Sequence, residues 1–262
     1  MIKKMVYVQR VKKYKRNIVI IFTNTLIILR EEAMKRKTTI LMIVVMLTLC
    51  SCATLSTIFS SAVGEYNEGM GYFNQGKFQE ASGHFAKAVE LDPEYGEAYL
   101  YLGRSYINLG LWGQALSPLR TAYRLTPIET KKEIGAILFD ALLSAAVGQI
   151  KQGNFKEGIS YLKEGMSLDA GSGKAQEAMV SALVGYGGQL LENGNPTDAI
   201  NAFQEALGYN QGSVDVYTGL VRAFLMNGNW LKAKETASQA LRLNPNSSGL
   251  NQLFQQLLTA PR

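Results

Sequence analysis

The strongest constraint on the fold is a spacing of about 34 residues at which small, aromatic and aliphatic residues recur. The clearest copy of this series lies between residues 99 and 127 and consists of Tyr99, Leu102, Gly103, Tyr106, Gly110, Trp112, Ala115, Leu119, Ala122 and Pro127. The apolar positions on either side of Gly110 have the spacing of one helix face. Pro127 cannot continue a helix. The segment therefore predicts two packed helices joined at Gly110.

The same order of residue types occurs four more times. One copy lies 34 residues earlier and contains Gly69, Tyr72, Gly76, Phe78, Ala81, Phe85, Ala88 and Pro93. Another lies near the C-terminus and contains Tyr217, Leu220, Phe224, Gly228, Trp230, Ala233, Ala237, Ala240 and Pro245. Two looser copies contain Leu142, Ala146, Gly153, Phe155, Gly158, Leu162 and Gly165, and then Gly187, Leu190, Gly194, Ala199, Phe203 and Ala206. The steps into these looser copies are nine and seven residues longer than 34, which predicts longer first helices there.

This order of residues resembles the tetratricopeptide repeat (TPR), a helix–turn–helix unit of 34 residues. The resemblance implies an all-α fold, a right-handed α-solenoid of about five TPR helix pairs in residues 62–246. Residues 247–262 are predicted to hold a capping helix and a tail. The apolar face of that helix is formed by Leu250, Leu253, Phe254, Leu257 and Leu258.

Residues 34–51 have the features of a secretory signal peptide. A basic start at Met34 precedes an apolar core, Ile40–Leu49. The sequence Leu49-Cys50-Ser51-Cys52 then resembles the lipobox of bacterial lipoproteins, which implies cleavage before Cys52 and acylation of its thiol. Ala53 after the cysteine implies, by the same resemblance, a location on the periplasmic face of the outer membrane. The alternatives are an ordinary signal peptide or an uncleaved anchor.

Residues 1–33 precede this complete signal peptide and contain a second apolar stretch, Ile18–Leu29. We interpret them as a mis-annotated extension with Met34 as the true start, because Arg30–Ala33 can be encoded by a purine-rich stretch like a ribosome-binding site. A genuine N-terminal membrane segment is the alternative. Residues 52–61 are predicted to be a tether between the lipidated cysteine and the repeats.

The net positive charge of the chain comes from its first 49 residues. Residues 1–49 hold 11 of the 27 Lys and Arg and two of the 21 Asp and Glu. The rest of the chain therefore has 16 basic and 19 acidic residues. A mildly acidic folded part gives no electrostatic reason to expect DNA or RNA as a partner.

The sequence contains no recognisable catalytic or metal-binding motif. His84 is the only histidine and is expected to face solvent because its neighbour Phe85 is a packed position. Glu65 and Glu68 are expected on a solvated helix face. No Cys/His cluster, nucleophile motif or phosphate-binding glycine loop is present. The sequence therefore predicts no enzyme, no cofactor and no metal site.

The TPR resemblance also implies that the first helix of each pair lines a concave groove. The positions predicted to contact a partner are Tyr66, Met70, Phe73, Asn74, Leu100, Arg104, Ile107, Asn108, Lys151 and Arg222. Further lining positions are Leu143, Val147, Ile150, Val184, Gly188, Leu191, Glu192, Thr218, Leu225 and Met226. For Leu143, Val147, Ile150, Val184 and Leu191, packing in the core is an equal alternative. Such a groove suits an amphipathic or extended segment, with its cations contacting carboxylates of the partner.

Together these features predict a lipid-anchored periplasmic scaffold or adaptor that binds a partner protein or peptide. Envelope assembly, secretion and pilus biogenesis are the processes in which TPR lipoproteins of this build recur. The alternative is a periplasmic carrier that holds a lipid or glycan in an apolar channel.

Overall fold

The computed structural model describes residues 61–259, and the predicted leader, lipidation site and most of the tether lie outside this range. The described residues form eleven helices and no strand. Helix α1 is described over residues 61–74. The others are α2 (Phe78–Leu91), α3 (Gly96–Asn108), α4 (Trp112–Leu125), α5 (Lys131–Lys151), α6 (Phe155–Leu168), α7 (Gly173–Glu192), α8 (Pro196–Tyr209), α9 (Val214–Met226), α10 (Trp230–Leu243) and α11 (Ser248–Thr259).

Each of five helix pairs is joined by a turn built on a glycine in the left-handed backbone region. In the α3–α4 turn Gly110 has φ +73°, and its N–H donates to the carbonyl of Ile107 at 2.9 Å. The next N–H, of Leu111, donates to the carbonyl of Tyr106 at 2.9 Å. This pattern satisfies the last carbonyls of a helix and favours glycine at its C′ position. It recurs at Gly76, Gly153, Gly194 and Gly228.

The helix pairs stack in chain order, each helix against the next. Helices α5 and α9 also both pack against α7, so the first helices approach one another on the inner side of the stack. The prediction of an α-solenoid with five helix pairs is confirmed. The long steps in the sequence are explained by α5 and α7, which have 21 and 20 residues where α3 and α9 have 13.

Helix crossings in the core depend on small residues set against large ones. Phe203 of α8 is 2% exposed, and its ring lies against Gly187 of α7 and Gly219 of α9. A Cβ atom at Gly187 would lie 2.6 Å from the ring, closer than van der Waals contact permits. The absence of side chains at these glycines therefore lets three consecutive helices enclose one aromatic ring.

Helix α5 is long and apolar and packs against both α4 and α6. Among the described helices it has the length and hydropathy to cross a membrane, with a mean hydropathy of 1.5. Its side chains Leu138, Leu142 and Ala146 are at most 3% exposed within the core shared with its neighbours. These buried side chains pack between α4 and α6.

Helix α11 packs on α10 and covers the end of the core. Leu250 is fully buried beside Tyr217 and Ala240, and Leu257 is 3% exposed. Leu258, which was expected on the same apolar face, is 52% exposed, so that part of the prediction is wrong. Only one side of the helix can reach α10, and Leu258 lies beyond it.

Candidate binding surface on the first helices

An aromatic cluster joins the first two helix pairs. Tyr66 and Phe73 of α1 lie near Tyr101 of α3, with ring centroids 5.9 and 5.3 Å from the Tyr101 centroid. Phe85 of α2 lies beneath, 5.7 Å from both Tyr66 and Tyr101. Tilted and edge-on aromatic pairs at these distances are favourable. The predicted contact residues Tyr66 and Phe73 are therefore half-buried in a cluster that also includes Tyr101.

Two tyrosines at this cluster have acidic neighbours, Glu97 and Asp92. Burial first, and then the nearby Glu97 carboxylate, raise the pKa of Tyr66 to about 12. The same two causes, with a further contribution from Asp92, raise the pKa of Tyr95 above its ordinary value. Tyr95 lies 5.0 Å from Tyr66 between ring centroids. Both phenols therefore keep their protons and remain hydrogen-bond donors far above neutral pH.

Arg104 is held on this surface by aromatic stacking. Its guanidinium lies 5.4 Å from the ring centroid of Tyr101, within the range of a cation–π contact. The side-chain amide of Asn108 donates to the backbone carbonyl of Arg104 at 2.8 Å. Asn74 and Asn108 are exposed, whereas Arg104 is half-buried. Asn108 thus uses part of its hydrogen-bonding capacity within its own helix.

A first cleft, cleft A, lies between the starts of α3 and α5 and has a volume of 530 Å³. Its apolar walls include Leu100 and Ile134, and its carboxylates are Glu97 and Glu133, both exposed. The complete lining is Tyr95, Gly96, Glu97, Leu100, Leu125, Thr126, Pro127, Thr130, Glu133 and Ile134.

A second cleft, cleft B, has the equivalent position between the starts of α7 and α9 and a volume of 490 Å³. Val180 and Val184 form its apolar wall, and Glu177 and Asp215 supply exposed carboxylates. The complete lining is Gly173, Gln176, Glu177, Val180, Ser181, Val184, Tyr209, Asn210, Ser213 and Asp215. Clefts A and B are therefore two helix pairs apart along the solenoid, and both combine apolar walls with negative charge.

The structure separates the predicted groove residues into different environments. Tyr66, Met70 and Phe73 pack on the first core cluster, and Leu100 and Ile107 on the second. The half-buried residues packed on the largest cluster are Leu143, Ile150, Val184, Leu191 and Leu225. Of all these positions, Leu100 and Val184 line the two clefts. Lys151, Arg222 and Val147 are exposed.

The clefts do not include the cations predicted to line the groove. Cations at Arg104, Lys151 and Arg222 were expected to face the partner, but none of the three lines either cleft. Among the described residues that do line them, the charged groups are all carboxylates. These carboxylates lie in the first five residues of their helices, outside the four lining positions that the family pattern implies. Pro93 lies in the loop between α2 and α3 and was the sequence feature that could have indicated where α3, with Glu97, begins.

His84 was expected to face solvent, but its side chain is only 21% exposed. Its Nδ1 lies 2.7 Å from Oε2 of Glu65, and its ring stacks on Tyr72 with centroids 5.2 Å apart. Glu65, expected on a solvated face, has a side chain only 25% exposed. The packing of α1 against α2 brings together these residues, which are 19 positions apart in the sequence.

Solved structures similar to this chain include TPR proteins. The Cut9–Hcn1 hetero-tetramer of the APC/C matches with 18% identity over 76% of this chain and 43% of that chain, at a TM-score of 0.35. A thermophilic TPR protein of Thermus thermophilus matches with 19% identity over 76% of this chain and all of that one, at a TM-score of 0.31. YrrB, described as a TPR protein with an unusual peptide-binding site, matches with 17% identity over 78% of this chain and 96% of its own, at a TM-score of 0.35. At these scores the likeness supports no statement about partners.

No curated protein sequence matches the chain significantly. Two family models described as tetratricopeptide repeat do match it, one over residues 66–127 and the other over residues 190–257. The segment between them holds the lengthened helices α5 and α7, where the spacing departs from 34 residues. The helix pairs and the matched segments agree: this chain contains tetratricopeptide repeats.

Proposed function

We propose that this protein is a non-enzymatic scaffold that binds an extended segment of another protein along the first helices of its solenoid. The single observation that carries the proposal is the pair of equivalent clefts, A and B, each with apolar walls and two exposed carboxylates. Such clefts suit a segment in which apolar side chains alternate with Lys or Arg, because the cations would meet Glu97, Glu133, Glu177 and Asp215. The partner segment is thus expected to be basic. The groove cations predicted from the sequence would instead have favoured an acidic partner.

Site-specific photocrosslinking tests this proposal. A photoreactive amino acid at Leu100 or Val184 should capture the same partner in cell envelopes, and one at Leu231, an exposed position away from both clefts, should not. The double substitution Glu97→Gln and Glu133→Gln should weaken capture at Leu100 about tenfold or more. Capture that is unchanged by these substitutions, or equal at Leu231, would contradict the proposal.

We further propose that the scaffold is anchored by Cys52 to the periplasmic face of the outer membrane and acts in envelope assembly, secretion or pilus biogenesis. The support is the lipobox-like sequence before Cys52. Mass spectrometry of the native protein should find a triacylated cysteine at the mature N-terminus and no peptide from residues 1–33. The variant Cys52→Ala should leave the outer-membrane fraction. A native protein that begins before residue 34, or that fractionates with the cytosol, would overturn this assignment.

The alternative function, a carrier of lipid or glycan, makes a different prediction for the same surface. Exposed carboxylates at both clefts disfavour an acyl chain or an anionic headgroup. Native mass spectrometry should therefore detect no co-purified lipid or glycan beyond the acyl groups on Cys52. Detection of a bound lipid at one copy per chain would favour the carrier.

A further inference from the structure

We propose that Glu65, Glu68 and His84 form a site for a divalent first-row transition-metal ion of the Zn²⁺ type, separate from clefts A and B. The two carboxylates are three residues apart on α1 and therefore lie on the same helix face. His84 projects toward them from α2. One ligating atom from each residue can be chosen so that the three lie within 4.8 Å of one another.

The distances at His84 are close to those of ligands that share one ion. Nδ1 of His84 lies 2.7 Å from Oε2 of Glu65 and 3.5 Å from Oε2 of Glu68. Zinc binds nitrogen and carboxylate oxygen at about 2.0–2.2 Å, so two ligands of one ion are separated by roughly 3–4 Å. The 3.5 Å separation from Glu68 already lies in this range, whereas the hydrogen-bonded 2.7 Å separation from Glu65 must lengthen by about half an ångström to admit an ion. The Glu68 side chain is 69% exposed and is the ligand that is free to move.

The other two ligands are already oriented. The imidazole of His84 stacks on the ring of Tyr72 at an interplanar angle of 15°, and its side chain is 21% exposed. Glu65 is 25% exposed and points its Oε2 at the imidazole. Binding an ion would therefore order mainly the Glu68 side chain, which keeps the entropic cost small.

The donor set selects the class of ion. One imidazole nitrogen with two carboxylates suits Zn²⁺ and its first-row neighbours, whereas Mg²⁺ and Ca²⁺ prefer sites made only of oxygen. Three protein ligands on an open face leave a coordination position for water. Binding requires the free lone pair of Nδ1, so the ion takes the place of the hydrogen bond between His84 and Glu65, and the neutral imidazole then carries its proton on Nε2.

One neighbouring cation opposes the ion. Nζ of Lys87 lies 3.9 Å from Oε1 of Glu65, and the Lys87 side chain is 61% exposed. Its ammonium reduces the negative potential at the site. The substitution Lys87→Met should therefore strengthen metal binding. A variant that merely unfolds would weaken binding, so an increase in affinity cannot result from loss of structure.

The test is a titration of the mature protein, solubilised in detergent, stripped with a chelator and treated with an alkylating reagent so that any unacylated Cys52 cannot bind metal. Isothermal titration with ZnCl₂ should give one ion per chain, and neither MgCl₂ nor CaCl₂ should bind at the same concentration. His84→Ala and Glu65→Gln should each weaken binding about 100-fold, Lys87→Met should tighten it several-fold, and the exposed control Glu90→Gln on the same helix should leave it unchanged.

Circular dichroism must show that each variant keeps the helical content of the parent chain. If His84→Ala unfolds the first helix pair, His84→Gln serves in its place, because an amide retains hydrogen-bonding capacity without an imidazole nitrogen. A site also predicts a Co²⁺ absorption spectrum that the His84 variant loses. Absence of Zn²⁺ binding, or binding that survives both the His84 and the Glu65 substitution, would overturn the proposal. His84 and Glu65 would then be a hydrogen-bonded pair without a metal-binding role. Neither outcome bears on partner capture at clefts A and B.

Discussion

Arg120 of α4 and Glu164 of α6 form a two-pronged ion pair between the second helices of consecutive repeats. Nε donates to Oε1 at 2.7 Å, and Nη2 donates to Oε2 at 2.6 Å. A further pair, Lys163 of α6 and Glu205 of α8 at 2.9 Å, continues the series to the next repeat. Charge pairs thus connect the second helices on the side of the solenoid opposite the first helices.

The Arg120–Glu164 pair should make a small but measurable contribution to stability. The side chains are 41% and 35% exposed, so solvent screening limits the coupling to about 0.5–1 kcal/mol. A double-mutant cycle with Arg120→Met and Glu164→Gln, measured by urea unfolding, should give this value and show that it shrinks in high salt. The exposed Arg124→Met on the same helix is the control and should show no coupling to Glu164. Zero coupling for Arg120 at low salt would contradict the prediction.

Two glycines of neighbouring segments should respond to alanine in opposite directions. Gly194 follows the C-cap of α7 and has φ +74°, and an added Cβ there would meet no atom within 4 Å. Gly194→Ala is therefore opposed only by the backbone conformation and should destabilise the protein by about 1–2 kcal/mol. Gly208 lies within α8, also with open space, and Gly208→Ala should stabilise by about 0.5–1 kcal/mol. Chemical denaturation of the two variants checks the opposite signs, and two changes of the same sign would be inconsistent with the turn geometry.

The enclosure of Phe203 predicts a steric effect that differs between nearby glycines. A Cβ at Gly219 would overlap the Phe203 ring, so Gly219→Ala should destabilise by about 1–3 kcal/mol. Gly188, the neighbour of Gly187 in α7, has no atom within 4 Å of an added Cβ, and Gly188→Ala should be neutral or stabilising by up to about 1 kcal/mol. Thermal unfolding distinguishes the two. Equal melting temperatures would show that Phe203 moves aside without penalty.

The aromatic cluster predicts a loss of stability in alkali. Because the pKa of Tyr66 is raised from 10.0 to about 12 in the folded state, the folded chain holds this proton more tightly than the unfolded chain does. The contribution is fully present below pH 10 and is lost as the pH rises through 12. Ultraviolet absorbance should show tyrosinate formation near pH 12 that is reduced in Tyr66→Phe. A titration of Tyr66 near pH 10 would contradict the burial described here.

The solenoid itself could be predicted from the sequence because its determinants are local. A helix face needs only the spacing of apolar residues along one segment, and a turn needs only a glycine that accepts a positive φ. Gly110, Gly153 and Gly194 were therefore recognisable as turns, and the longer steps between copies indicated the longer helices α5 and α7.

The charged and aromatic contacts could not be predicted in this way, because they depend on how separate helices cross. Arg120 meets Glu164 across 44 residues, and His84 meets Glu65 across 19, and no periodic pattern relates the members of either pair. The acidic lining of cleft A likewise depends on the approach of the starts of α3 and α5. The sequence by itself determined the helices, their turns and their order, since these follow from short-range spacing. The tertiary structure alone decided which charges meet, since the direction of each side chain across a helix crossing is set by the packing of whole helices.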